Sequence, residues 1–557
     1  MFARLAAFLA TIAAFALATP AHADTLFDNM NGMTIGADGE LERFSAFVVG
    51  DDGRIVRTLA PGEKRPKNLP RVDLGGQAVL PGMVDAHLHV MGLGFGQTTL
   101  DLADTDSLEE ALDAILAYRA RYPDRPWILG RGWNQEKWGL GRFPTAADLD
   151  AVIGDVPVWL ERVDGHAGWA NSLAMERAGV TADAVDPEGG RIERIAGSRQ
   201  PTGVFVDAAS ELVQRAVPPP RAVDRDLAFL DAQKLLHANG ITAAADMGTS
   251  MEDWQTFRRA GDEGRLTMRI MSYASGVETM VLIGGPRPTP WLYDGKLRLN
   301  GVKIYLDGAL GSRGAWLKED YADDPGNRGL PLMSQSALRN AMARAALDKY
   351  QVAVHAIGTR ANEEALNAID DLAQSYDGDR RWRIEHAQIV DPVDLPRFGE
   401  HGIIASMQPV HQTSDRTMAE ARMGESRLGG AYAWRSMLDA GSRLAFGSDA
   451  PVERPDPFAG IAAAISRTGA DGQPFGGWRA EERVSREQAL AAFTADAAHA
   501  GFGDGVFGRL VPGEYADFIV VDTDPLLAAP AQIRATRVMQ TFVGGQRVYD
   551  SSSPAAP

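Results

Sequence analysis

Not one of the 557 residues is a cysteine. That absence removes disulfides, thiolate metal ligands and any lipid anchor on an N-terminal cysteine. Basic residues are in deficit too, 56 against 74 acidic ones, for a formal charge of −18. Such a balance disfavours nonspecific binding to nucleic acid or to an anionic membrane surface, both of which need a basic field. Two fingerprints are also missing. No G-x-G-x-x-G follows a strand and opens a helix, and no G-x-S-x-G elbow presents a serine nucleophile.

Long uncharged apolar runs are scarce, and the one at the start of the chain is short. After Met1-Phe2-Ala3-Arg4 comes "LAAFLATIAAFALA", then a small-x-small site at Ala21-His22-Ala23. This pattern predicts a secretory signal peptide over residues 1–23, cleaved before Asp24, and hence a periplasmic mature chain. The run falls short of the roughly 20 apolar residues that span a bilayer.

What is present is an alternation of strand-like and helical stretches. In order, the apolar runs are "MVDAHLHV", "ITAAADMG", "LTMRIMSYA", "GVKIYLDG", "QVAVHAIG", "WRIEHAQIV", "IIASMQPV" and "LAFGSDAP". Eight such runs separated by helices predict a (β/α)8 barrel, whose catalytic groups lie at the C-terminal strand ends. An open doubly wound sheet is the weaker alternative. We assign the barrel to residues 83–94 plus 236–508, with a small β-sandwich built from residues 24–82 plus 509–550. Residues 95–235 are too long for a βα connection and predict an inserted α/β subdomain at the barrel mouth. The stretches "AVPPP" and "SSSPAAP" are the only low-complexity segments.

The chemistry concentrates at the strand ends. In "MVDAHLHV", alternation along a strand puts His87 and His89 on one face and Leu88 on the other. His355 and His386 end two further runs, and Asp449 ends the last, before Pro451. Lys303 lies between Val302 and Ile304, which face the helices, so it points inward with Tyr305. A buried ammonium there needs neutralisation or an anionic partner, with Asp307 one candidate. Four imidazoles, a carboxylate and a lysine converging from separate elements are the nitrogen and oxygen donors a divalent metal takes. The remaining histidines, His22, His237, His401 and His499, read as local. His411 follows a strand, and a place at the mouth is its weaker reading.

These motifs, with "DGHAGWANSLAM" and "GVKIYLDGALGSRGAWL", resemble the amidohydrolase superfamily. More narrowly they are similar to the YtcJ-like or amidohydrolase 3 group, which includes N-substituted formamide deformylases. The resemblance implies two zinc-like ions, His87 and His89 on the more buried one and His355 and His386 on the other. Lys303 would bridge them as a carboxylated lysine, and Asp449 would ligate the buried ion and act on the nucleophile. It implies hydrolysis of a non-peptide C–N bond, a linear N-acyl or N-formyl amide, by metal-activated hydroxide. Cyclic amides, carbamates or esters on the same site remain open, as does a non-catalytic periplasmic binding protein. His166 is expected to hydrogen-bond substrate or the developing oxyanion, or else to hold its own loop. Trp133, with Trp138 and Trp169, is expected as an apolar wall, and Arg313 as a carboxylate clamp, with subdomain core and surface loop as the plainer alternatives. The expected partner is a small amide, and a homodimer is compatible with the sequence.

Overall fold

The computed structural model describes residues 24–553, so the expected leader lies outside the described residues. Each of the eight apolar runs contains a strand of one parallel sheet. We label them β1 (Met83–Leu88), β2 (Ile241–Thr249), β3 (Arg269–Ser275), β4 (Leu297–Tyr305), β5 (Gln351–Ala356), β6 (Arg383–His386), β7 (Ile404–Met407) and β8 (Arg443–Phe446). Neighbours in sequence are neighbours in the sheet throughout. That order is what a right-handed β-to-α progression around a barrel gives.

The last strand meets the first just past its C-terminal end. Asp449 N–H donates to the His87 carbonyl at 2.7 Å, and His89 N–H donates to the Ala450 carbonyl at 2.8 Å. Gly447 makes this approach possible. A Cβ there would stand 2.6 Å from both the His87 nitrogen and Asp85 Oδ1, inside van der Waals contact. The seam therefore places Asp449 beside the two histidines of β1 by main-chain bonding, before any side chain is considered.

Alternation sorts the residues of β4 as the sequence predicts. Val302 and Ile304 pack outward in the large core shared with the helices, while Lys303 is buried inside the barrel. The barrel floor packs Met271, Ala353, Ile404 and Phe507 around Tyr273, whose hydroxyl donates to Gln351 and accepts from Asn300 and Arg383. The histidines, Lys303 and Asp449 lie toward the opposite, C-terminal end.

Between β1 and β2 the chain forms its own six-stranded sheet, with strand order Gly190–Arg194, Pro201–Asp207, Ala167–Ala170, Val158–Arg162, Ile128–Trp133, Leu100–Asp101. Its helix Leu108–Arg121 starts at Ser107, whose hydroxyl accepts from Glu110 N–H, with acidic residues in the first turn and arginines in the last. The two ends of the chain share a third sheet, in which Val79 and Leu80 pair antiparallel with Val520 and Ile519. It closes over an aromatic core in which Phe518 lies 5.1 Å from both Phe27 and Phe47 and stacks on Phe542 at 4.2 Å. Among the described residues no helix is long and apolar enough to cross a membrane.

Candidate metal centre

Six of the side chains singled out in the sequence meet at the C-terminal end of the barrel. His87 Nε2 stands 3.2 Å from Lys303 Nζ and 3.4 Å from Asp449 Oδ1, and His89 Nε2 stands 3.2 Å from the same oxygen. The ring of His386 lies 4.7 Å from that of His87 and 4.5 Å from that of His355. Two of these positions are held in left-handed backbone, φ 73° at His386 and 57° at Asp449. Such geometry costs a non-glycine residue of order 1–2 kcal/mol and persists only where surrounding structure enforces it. At His386 it also lets consecutive residues, Glu385 and His386, both reach the interior.

Hydrogen bonds behind the rings turn one nitrogen of each toward the centre. His87 Nδ1 meets Glu385 Oε2 at 2.7 Å, and His386 Nδ1 meets Gln408 Oε1 at 2.9 Å, leaving both Nε2 atoms facing inward. Burial and the neighbouring Lys303 hold His87 down at about 4, and burial with adjacent rings holds His355 and His386 well below the usual imidazole range. All three are neutral at physiological pH, so their lone pairs are available to a cation. Burial would raise the Asp449 carboxyl, but His87, His89 and His386 hold it well below its ordinary value. Burial lowers the Lys303 amine to about 8.

Several buried atoms here lack a hydrogen-bond partner, among them His355 Nε2, His411 Nε2 and Asp449 Oδ1, the last with only the imidazoles of His87 and His89 beside it. Unsatisfied buried acceptors cost free energy and call for a ligand. Ligand atoms of His87, His89 and Asp449 lie within 4.8 Å of one another, as do those of His386, His411 and Asp449. The donor set is neutral imidazole plus carboxylate, which suits a borderline divalent cation. Asp307 is not the partner of Lys303. It accepts from the N–H groups of Ile357, Gly358 and Trp316 and stands 3.6 Å from His355.

The inserted subdomain supplies one more group. His166 Nδ1 is 2.7 Å from Asp207 Oδ1, and its ring lies 5.2 Å from that of His355. Burial alone would lower this imidazole, but the Asp207 carboxylate raises it to about 9.

Two sequence expectations are corrected. Trp133 is fully buried in the core of the inserted subdomain, donating its indole N–H to the Leu160 carbonyl and packing 6.2 Å from Trp169. An indole with no free face cannot line a wall. The tryptophan that faces the cavity is Trp159. Arg313 is held by Asp323 at 2.9 Å in a separate surface hollow, so its fork is already engaged.

Sequence reading undervalued His411, whose ring stacks 6.1 Å from His386 and whose Nε2 lies 3.9 Å from Asp449 Oδ2. Its signal was a histidine four residues past a strand end, two after Pro409. It missed Arg383 and Glu385, although the alternation in "RIEH" places both inside. Arg383 donates to both oxygens of Glu385, at 2.8 and 3.1 Å, and to Tyr273 Oη and Ser406 Oγ.

The centre lies where two cavities join. One, of about 760 Å³, extends under the inserted subdomain past Phe95, Trp159 and Val217–Pro220. The other, of about 480 Å³, runs the opposite way past Arg162, Asp415 and Glu453. His166, His355, His386 and Asp449 face both.

Comparison with known proteins agrees with this geometry. A model described as the amidohydrolase family matches residues 71–549. The chain is 32% identical to the putative amidohydrolase YtcJ of Bacillus subtilis, covering 86% of this chain and 90% of that one. It is 35% identical to the protein LONG AFTER FAR-RED 3 of Arabidopsis thaliana, over 86% of this chain and 83% of that one. An N-substituted formamide deformylase of Arthrobacter pascens is 27% identical over 95% and 98% of the two chains. Among solved structures, an uncharacterized metal-dependent hydrolase from Pyrococcus furiosus superposes with a TM-score of 0.69 at 28% identity, covering 90% of this chain and 100% of the other.

Proposed function

The chain belongs to the amidohydrolase family, and on that premise we propose that it cleaves the C–N bond of a linear N-acyl or N-formyl amide. The observation that supports this most is the convergence of four imidazoles, Lys303 and Asp449 around buried, unpartnered His355 Nε2 and Asp449 Oδ1. In this reading His87, His89 and Asp449 would hold one divalent ion and His355 and His386 a second, and Lys303, as a carbamate, would supply a further anionic ligand. Such ions, when bound, polarise a carbonyl and bring the pKa of water from 15.7 toward about 7.

The chain's own groups then divide the proton traffic. Asp449 takes a proton from the attacking water and delivers it to the departing nitrogen, a base that becomes an acid. Water's hydroxyl ends on the acyl carbon, the C–N bond breaks, and the amine leaves with the proton. His166, a cation at neutral pH, has Nδ1 tied to Asp207 and offers Nε2–H to the carbonyl oxygen as negative charge develops. His166→Asn is expected to lower kcat by about tenfold to 10²-fold with little change in KM, read from initial rates.

A hydrolysis screen over formamides, N-acyl amino acids and lactams tests the reading. The expected result is cleavage of at least one linear amide, abolished by chelation and restored by zinc. Cleavage confined to lactams, carbamates or esters moves the assignment to those bonds. Inertness to every compound favours a binding protein and overturns the proposal.

A further inference from the structure

The two cavities that meet at the centre differ in kind. In the larger one the charged groups of the wall are already engaged, and Trp159 Nε1 is buried there without a hydrogen-bond partner. Arg131 donates to the carbonyls of Pro451 and Val163, and Glu161 accepts from Gln214. What remains is a rigid apolar wall of Phe95, Leu129, Trp159 and the Val217–Pro220 segment, the "AVPPP" stretch that stood out in the sequence. Proline rings carry no N–H and hold φ fixed, so this rim offers flat hydrocarbon to a ligand at little entropic cost.

The smaller cavity is polar, and most of its charges are paired. Arg162 is held by Asp164, Lys137 by Asp106 at 2.9 Å, and Glu136 by Arg422 at 2.6 Å. Asp415 is different. Its Oδ2 accepts from Gln388 Nε2 at 3.0 Å and Tyr432 Oη at 3.1 Å, and no cation pairs with it among the described residues. Glu453, across the cavity, accepts only from Ser414 Oγ at 2.6 Å. Independently, His411 faces the same space with its Nε2 buried and unpartnered, the residue being 8% exposed. A fixed carboxylate, a second one opposite and an unused imidazole acceptor all ask for a donor, and neutral buried acceptors left empty are costly.

We propose that the substrate is a linear amide with two unlike arms, an aryl-sized apolar group beneath Trp159 and Phe95 and a short arm whose cationic nitrogen meets Asp415. This rests on the hydrolase reading and narrows it, because a formamide carries only one arm and leaves one cavity unused.

Five amides test it: the phenylacetyl amide of ethylenediamine and its N-propyl isostere, the benzyl amide of β-alanine and its butanoyl isostere, and benzylformamide. Both orientations of the C–N bond are thereby offered. For at least one pair, kcat/KM is expected to favour the ammonium compound by more than about tenfold, the scale of a charge-assisted hydrogen bond. In Asp415→Asn that ratio is expected to fall below about threefold. Equal rates within both pairs, or a preference that Asp415→Asn leaves intact, overturn the inference while the hydrolase reading stands. Cleavage of benzylformamide alone does the same. Inertness toward all five overturns the inference. Chelator-sensitive cleavage of another amide then still upholds the broader reading, and its absence sinks both.

Discussion

Asp449→Asn leaves the fold standing and lowers amide hydrolysis by about 10²-fold to 10⁴-fold, the range a positioned general acid–base group contributes. Three features make the substitution informative. The seam that places this residue is main-chain, Asp449 N–H to the His87 carbonyl, and survives a change of side chain. Asparagine tolerates left-handed backbone better than most residues, so φ 57° is not a reason to misfold. The amide keeps the shape but neither accepts a proton nor carries the charge that sits 3.4 Å from His87 and 3.2 Å from His89. Steady-state kinetics should therefore show kcat collapsing more than KM, with an unaltered circular dichroism spectrum. Activity within a few fold of wild type would mean the proton travels by another group.

The second large effect is on stability. Arg383 and Glu385 are both fully buried, and their bidentate pair sits directly behind His87. Burial would raise the Glu385 carboxyl, but Arg383 and His87 hold it well below the usual range. Arg383→Met removes the partner and strands a buried carboxylate, at a cost of about 3–5 kcal/mol in denaturant unfolding. The double variant Arg383→Met/Glu385→Met removes both charges and is expected to recover much of that loss, since buried pairs seldom outperform hydrophobic packing. It should not recover metal affinity. His87 Nδ1 would then lack the acceptor that orients it, and loss of such a partner weakens metal binding by about 10-fold to 100-fold. A double variant as unstable as the single one would show that the pair itself, rather than an unpaired charge, carries the stability.

The barrel was legible because its strands are short apolar runs, each followed within two residues by a glycine, proline or polar residue at the C-terminal edge. Lys303 stood out for a related reason, as a charge at an inward position between Val302 and Ile304. The six principal donors could be named because each interrupts such a run. Where residues escaped notice, the physics explains it. Glu385 and His386 are adjacent, and simple alternation would send them to opposite faces; only the left-handed backbone at His386 brings both inward. The tryptophans of the inserted subdomain lie in a sheet with apolar packing on both faces, so alternation carries no sign there. Nothing in the sequence could rank Trp159 over Trp133. Arg313 was legible as a loop arginine, but its partner Asp323 pairs with it through the fold of that loop, and the same carboxylate also meets Arg422 from far along the chain.

Elemental analysis of the protein purified without chelators is the most direct test of a shared ion centre at these six side chains. The account predicts close to two equivalents of a zinc-like divalent ion per chain, lost together with activity on chelation. Full amide hydrolysis by protein free of divalent metal would contradict it.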